Sequence, residues 1–191
     1  MSKSTISKWV KNIELSPLAQ ARIDSNYTKG QLASQKTIKE KTYRKNLEAD
    51  IFAINKLKNV NLFSELSLLL CTMIYQCEGS KSIKDSVTFT NSDPDLIKTF
   101  LFLFRKSFDL DENKFRVLMH LHNYHNENLQ KKFWSNITGI PIQKFLKTTN
   151  KVNTGLYKKE DYQGCIQVRY KDVKIGRIIS AVAKKFMERY K

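Results

Sequence analysis

Cysteine, proline and glycine are all scarce in this chain: three, three and six among 191 residues. Cys71, Cys77 and Cys165 are odd in number and none stands in a CxxC pair. That indicates neither a disulfide framework nor a zinc knuckle, and makes a cytoplasmic protein with reduced thiols the expectation. No stretch reaches the ~20 apolar residues of a membrane span. The most apolar one, 62–74, is interrupted by Ser64, Glu65, Ser67 and Thr72. Met1 leads into a polar, basic run rather than the apolar core of a signal peptide. The phosphate-binding pattern GxxxxGKS/T, the nucleophile elbow GxSxG and the dinucleotide fingerprint GxGxxG are all missing. Acidic residues are in deficit too, 18 against 34 Lys and Arg, for a net charge of +16.

What is present is enough for a folded domain. A hydrophobic share of 41%, with 11% aromatics, excludes global disorder. The cations are not spread evenly. Residues 1–60 carry 12 basic and 5 acidic side chains, 61–125 carry 7 and 8, and 126–191 carry 15 and 5. A near-neutral centre between two basic flanks predicts a structured core with basic surfaces, suited to a polyanion, and nucleic acid is the commonest polyanion in a cytoplasm.

Along the chain, MSKSTISKWVK reads as a short helix with Ile6, Trp9 and Val10 on one face. Ser4, Thr5, Ser7, Lys8 and Lys11 are left outward, with hydroxyls and cations suited to phosphates and base edges. Ser16-Pro17 is a helix start, serine as cap and proline at the first position. The helical pattern then runs to about Asn59, basic, with Leu32, Leu47, Ile51, Ile54 and Leu57 as an apolar stripe and Gly30 as a candidate break. Such a helix either dimerises or lies on the domain behind it. Residues 64–78 predict a helix buried on most of its circumference, stopped by Gly79 in the C′ position. Glu78 is then a carboxylate at the negative end of a buried helix, where only an opposed cation makes it comfortable. A metal ion, or a lysine such as Lys81 or Lys84, would serve.

Strands are predicted at 86–90, 115–122 and 165–170, and helices at 94–108, 127–138 and 172–190. The polar stretch 147–163 reads as a loop or hairpin. All three histidines fall in HLHNYH. His120 and His122 share a strand face; an HxH pair can hold zinc, but the sequence offers no evident third ligand, and a polar face against DNA or solvent is the plainer reading. Arg116 and Arg169 sit mid-strand, where they either read DNA or simply carry surface charge. Lys144, Lys147, Lys151, Lys158 and Lys159 are either phosphate contacts or solvated cations. Trp9, Trp134 and the Phe-rich segment 96–104 are assigned to the core.

The segments LLLCTMIYQCEGSKS, VTFTNSDPDLIKTFLFLF, FRVLMHLH and CIQVRYKDVKIGRIISAV resemble the LAGLIDADG-type homing endonuclease domain, over residues 62–188. More narrowly they resemble a bacterial group in which that domain follows a resolvase-like helix-turn-helix. KSTISKWVKNIELSP is similar to the recognition-helix half of that motif, with the preceding helix lacking. The resemblance implies an α+β fold: an αββαββα core, here with an extra helix at 127–138, preceded by a helical N-terminal segment. It divides the chain into a helix-turn-helix remnant (1–16), a basic helical linker (17–60) and the LAGLIDADG-like domain (61–191). It places the acidic motif position on Glu78 and the helix-end glycine on Gly79. One motif per chain implies a homodimer on duplex DNA, with two Glu78 carboxylates binding Mg²⁺ and cutting a phosphodiester. Lys81 would contact a phosphate or support a hydroxide nucleophile, a solvated lysine being the plainer reading. The DNA-contacting set then comprises Ser4, Thr5, Ser7, Lys8, Lys11, Lys81, Arg116, His120, His122, Lys147, Lys151, Lys158, Lys159 and Arg169. Thr72 and Met73 stand where small residues allow close helix approach, and Gln76 where a second acid is common. These departures keep open a non-catalytic DNA-binding regulator on the same fold; an RNA-binding accessory protein is the third expectation.

Overall fold

A computed structural model describes residues 5–6, 13–80, 85–151 (backbone alone at 151) and 161–190. The chain divides into two units, 1–61 and 62–191. The first is dominated by α1, Pro17–Leu57. Ser16 caps it, its Oγ accepting from Ala19 N–H at 3.2 Å, and Pro17 occupies the first turn as its sequence demands. Gly30 does not break it; the helix runs through 41 residues and none of them is buried.

The second unit is built as α2 (Ser64–Glu78), β1 (Val87–Asn91), α3 (Pro94–Ser107), β2 (Phe115–His122), α4 (Glu127–Thr138), β3 (Thr149–Lys151), β4 (Cys165–Tyr170) and α5 (Val173–Glu188). It is of the α+β class, with one four-stranded sheet in the order β1-β4-β2-β3. β4 is antiparallel to both of its neighbours, and β3 runs parallel to β2. The stretch 147–163, expected as a loop or hairpin, contributes the edge strand β3 over its described residues Thr149–Lys151.

Alternation fixes which sheet face is wet. On β2, Phe115, Val117, Met119 and Leu121 are buried while Arg116, Leu118, His120 and His122 are half-buried. Ile166, Val168 and Tyr170 of β4 join the buried side, and Cys165, Gln167 and Arg169 the other. The core behind the sheet is aromatic. Phe89 of β1 stacks on Phe100 of α3 at 4.1 Å, and Tyr170 meets Phe115 edge-on at 4.8 Å. Trp134 is fully buried and donates its indole N–H to the Gln163 carbonyl at 2.9 Å.

Two helices differ from expectation. α2 buries one stripe only, Ser67, Cys71, Thr72 and Tyr75, and not most of its circumference. Three of these lie four residues apart, so they stack on one face and leave the rest half-buried or exposed. The apolar spacing of α5 predicts Val173, Ile175, Ile178, Ile179, Val182 and Phe186 inward; Ile179 is buried together with Gly176 and Ala183, Ile178 is exposed and the other four are half-buried. The helix packs against α2.

Candidate nucleic-acid interface

The solvent-facing side of the sheet is a grid set by strand register. Arg116 lies opposite Arg169, which lies opposite Thr88. Leu118 follows, opposite Gln167 and then Thr90; next comes His120, opposite Cys165 on one side and paired with Thr149 on the other. His122 pairs with Lys151. No position of this grid is acidic.

Two cations directly opposite on neighbouring strands repel. The face copes by engaging neutral acceptors. Arg169 Nε donates to Gln167 Oε1 at 2.5 Å, and Gln167 Nε2 donates to Thr90 Oγ1 at 3.1 Å. Arg116 donates to the carbonyls of Asn113 and Phe115 at 2.7 and 2.6 Å. Among the described residues neither guanidinium has a carboxylate partner within 4.0 Å. Arg105, by contrast, is held by Glu112 at 2.8 Å and the Thr138 carbonyl at 2.9 Å, which ties α3 to the end of α4. The expected lysine run divides: Lys147 is exposed, whereas Lys144 donates to the Glu112 carbonyl and Asn113 Oδ1.

The end of the face is aromatic. His122 and Tyr124 stack at 5.3 Å with 10° between their planes, and His125 lies 4.4 Å from Tyr124. His125 Nδ1 accepts from His122 N–H at 3.0 Å, so Nε2 carries the proton and donates to the Tyr162 carbonyl at 2.8 Å. Burial first, then the neighbouring Cys165 and Tyr124, push the Tyr162 phenol up. Sequence alone marked His120 and His122 as a pair; the enclosure by Tyr124 and Tyr162 depends on the turn after β2 and on the approach to β4, which no local pattern announces.

Glu78 sits elsewhere than expected in electrostatic terms. It is exposed, not buried. Its Oε2 accepts from Asn91 Nδ2 at 3.4 Å. Asn91 Oδ1 is already engaged by Ser92 and Asp93 N–H at 2.8 and 2.9 Å, so the amide is fixed with its donor toward Glu78 and its oxygen away. Met73, Ile74, Cys77 and Leu96 form an apolar depression beside Glu78. One chain therefore presents one carboxylate and a misdirected amide, which do not make a Mg²⁺ site unaided. Among the described residues no three His, Cys, Asp or Glu side chains gather as ligands either.

Gly79 does end α2, donating to the Tyr75 carbonyl at 2.7 Å, but its φ of −78° is extended and not the left-handed C′ conformation. Tyr75 explains it. The phenol donates to the Ser80 carbonyl at 3.1 Å and accepts from Thr88 N–H at 3.3 Å, which holds the ring over Gly79. Thr5 is on helical backbone; Ser4, Ser7, Lys8, Lys11, Lys81, Lys158, Lys159 and the Lys151 side chain lie outside the described residues. Comparisons of the chain with family models, curated proteins and solved structures returned no match, so the site stands on its own geometry.

Proposed function

We propose that residues 62–191 bind duplex DNA along the solvent-facing side of the sheet, with sequence preference and as a homodimer. The observation that carries this is the Arg116–Arg169 pair: two apposed cations without a described carboxylate partner, on a face with no acid. Left alone, the pair is destabilising; a phosphate backbone turns it into two charge-assisted contacts. Gln167, Thr88 and Thr90 beside it supply donors and acceptors for base edges. The depression of Met73, Ile74, Cys77 and Leu96 supports a second copy as partner, since that apposition also brings two Glu78 carboxylates together. Such carboxylates repel unless a hard cation lies between them. The exposed, amide-tethered state of Glu78 favours the non-catalytic regulator over the endonuclease as the form of this activity.

The test is titration of duplex DNA with wild type and the Arg116→Gln/Arg169→Gln double variant over a salt series. The expected result is weaker binding and a shallower salt slope, by about 0.9 for each phosphate no longer neutralised. Equal affinity and slope would refute the reading. Duplex DNA and RNA competed at fixed salt separate the accessory-protein alternative. Plasmid nicking with Mg²⁺ by wild type and Glu78→Gln, on a site selected from random duplexes, separates endonuclease from regulator.

A further inference from the structure

We infer that His122, Tyr124, His125 and Tyr162 form a stacking platform for an unpaired nucleobase. This rests on the nucleic-acid reading of the sheet face and goes beyond it, because duplex contacts through arginines need no aromatic surface. Four rings meet at one end of the wet face: His122 on Tyr124 at 5.3 Å, His125 at 4.4 Å from Tyr124, and Tyr162 at 5.7 Å from His125 and 6.1 Å from His122. They are not core residues; all four are half-buried, so part of each ring stays open to solvent. The arrangement is also fixed in advance. Hydrogen bonds through both ring nitrogens of His125 join the end of β2 to the Tyr162 backbone. A rigid, half-open set of rings is what base stacking needs, since every base has a π-face and little ordering entropy is lost.

Position supplies the occupant. Arg116 and His122 are six residues apart on one face of β2, about 20 Å. That is the rise of about six nucleotides at 3.4 Å each along a strand. A strand whose phosphates engage Arg116 and Arg169 thus reaches the rings within one half-turn or so, and a base displaced there would stack.

The experiment uses the full chain and three probes: a duplex, the same duplex with one unpaired adenine, and its single strand. Affinities are measured for wild type, Tyr124→Ala, Tyr124→Phe and Tyr162→Leu. Wild type is expected to prefer the bulged duplex and the single strand. Tyr124→Ala and Tyr162→Leu should lose about tenfold or more on those two probes, with duplex binding unchanged, and Tyr124→Phe should restore the preference. Unchanged duplex binding also reports that the variants are folded. Wild-type binding of all probes without preference, or variants that match wild type on unpaired bases, overturns the platform while leaving the duplex reading intact. Equal losses by a variant on all three probes overturn it too, since the rings would then act on the fold. Failure of wild type to bind any probe removes both proposals together.

Discussion

A methyl group on Gly79 would lie 2.5 Å from Tyr75 Cδ2 and 2.6 Å from the Tyr75 carbonyl oxygen. Both are closer than van der Waals contact permits, and the ring is tethered at its hydroxyl, so it cannot simply swing away. Gly79→Ala is expected to cost about 1–3 kcal/mol, as overpacking does, read as a lower denaturation midpoint in urea with an unchanged slope. Gly164 is held twice over: its φ is +81°, and a β-carbon there would run into Leu121 Cδ2. The cysteines differ as sharply. Burial pushes the Cys71 thiol up to about 12, while Cys77, six residues on, is exposed. A thiol reagent at neutral pH should label Cys77 in the folded protein at a dilution that keeps it monomeric, and reach Cys71 only after unfolding, checked by mass spectrometry of the labelled peptides. The glycine at the end of α2 was legible from sequence, and its reason was not. A helix-end glycine suggests left-handed backbone, but here the cause is a ring four residues earlier whose hydroxyl is held from β1.

The helices start where their caps say they should. Asp93, Asn126 and Asp172 each receive backbone N–H groups from the first turn of α3, α4 and α5. Asp172 has a second task. Lys114, just before β2, donates to it at 2.9 Å, and that hydrogen bond, followed by the Ile175 backbone N–H, lowers its pKa. A lowered carboxylate stabilises the fold above its ordinary titration range and ceases to do so as pH falls through the folded value. Asp172→Asn keeps a good cap but removes the charge. Its melting temperature should therefore fall at neutral pH and converge on that of wild type below about pH 4, followed by thermal melts across pH. Gly30 offers the opposite change. It sits inside α1 with nothing within 4 Å of an added β-carbon, so Gly30→Ala should stabilise that helix by up to about 1 kcal/mol, seen in the far-ultraviolet circular dichroism of its melt. Element types and bounds were readable because caps and periodicity are local. The burial of α2 and α5 was not, because it depends on which neighbours cover each face: Gly176 and Ala183 are buried while Ile178 is exposed.

Every fully buried side chain among the described residues belongs to 62–191, and α1 contributes none. A fragment of residues 62–191 is thus expected to fold alone, with the near-ultraviolet circular dichroism of its aromatic core and a cooperative melt; a molten spectrum would contradict the division at residue 61. The polar face was legible in part. Alternation put Arg116, Arg169, His120 and His122 on one side, but their apposition is a matter of register between strands roughly 50 residues apart in sequence, which only the pairing of β2 with β4 sets.

The β1 edge of that sheet is closed by the end of α2. The Thr88 carbonyl accepts from Ser80 N–H at 2.9 Å, and Thr88 N–H donates to the Tyr75 phenol at 3.3 Å. A foreign strand arriving at Thr88 would find its backbone donor and acceptor already taken, which hinders edge-to-edge association and the fibrous aggregates such contact seeds.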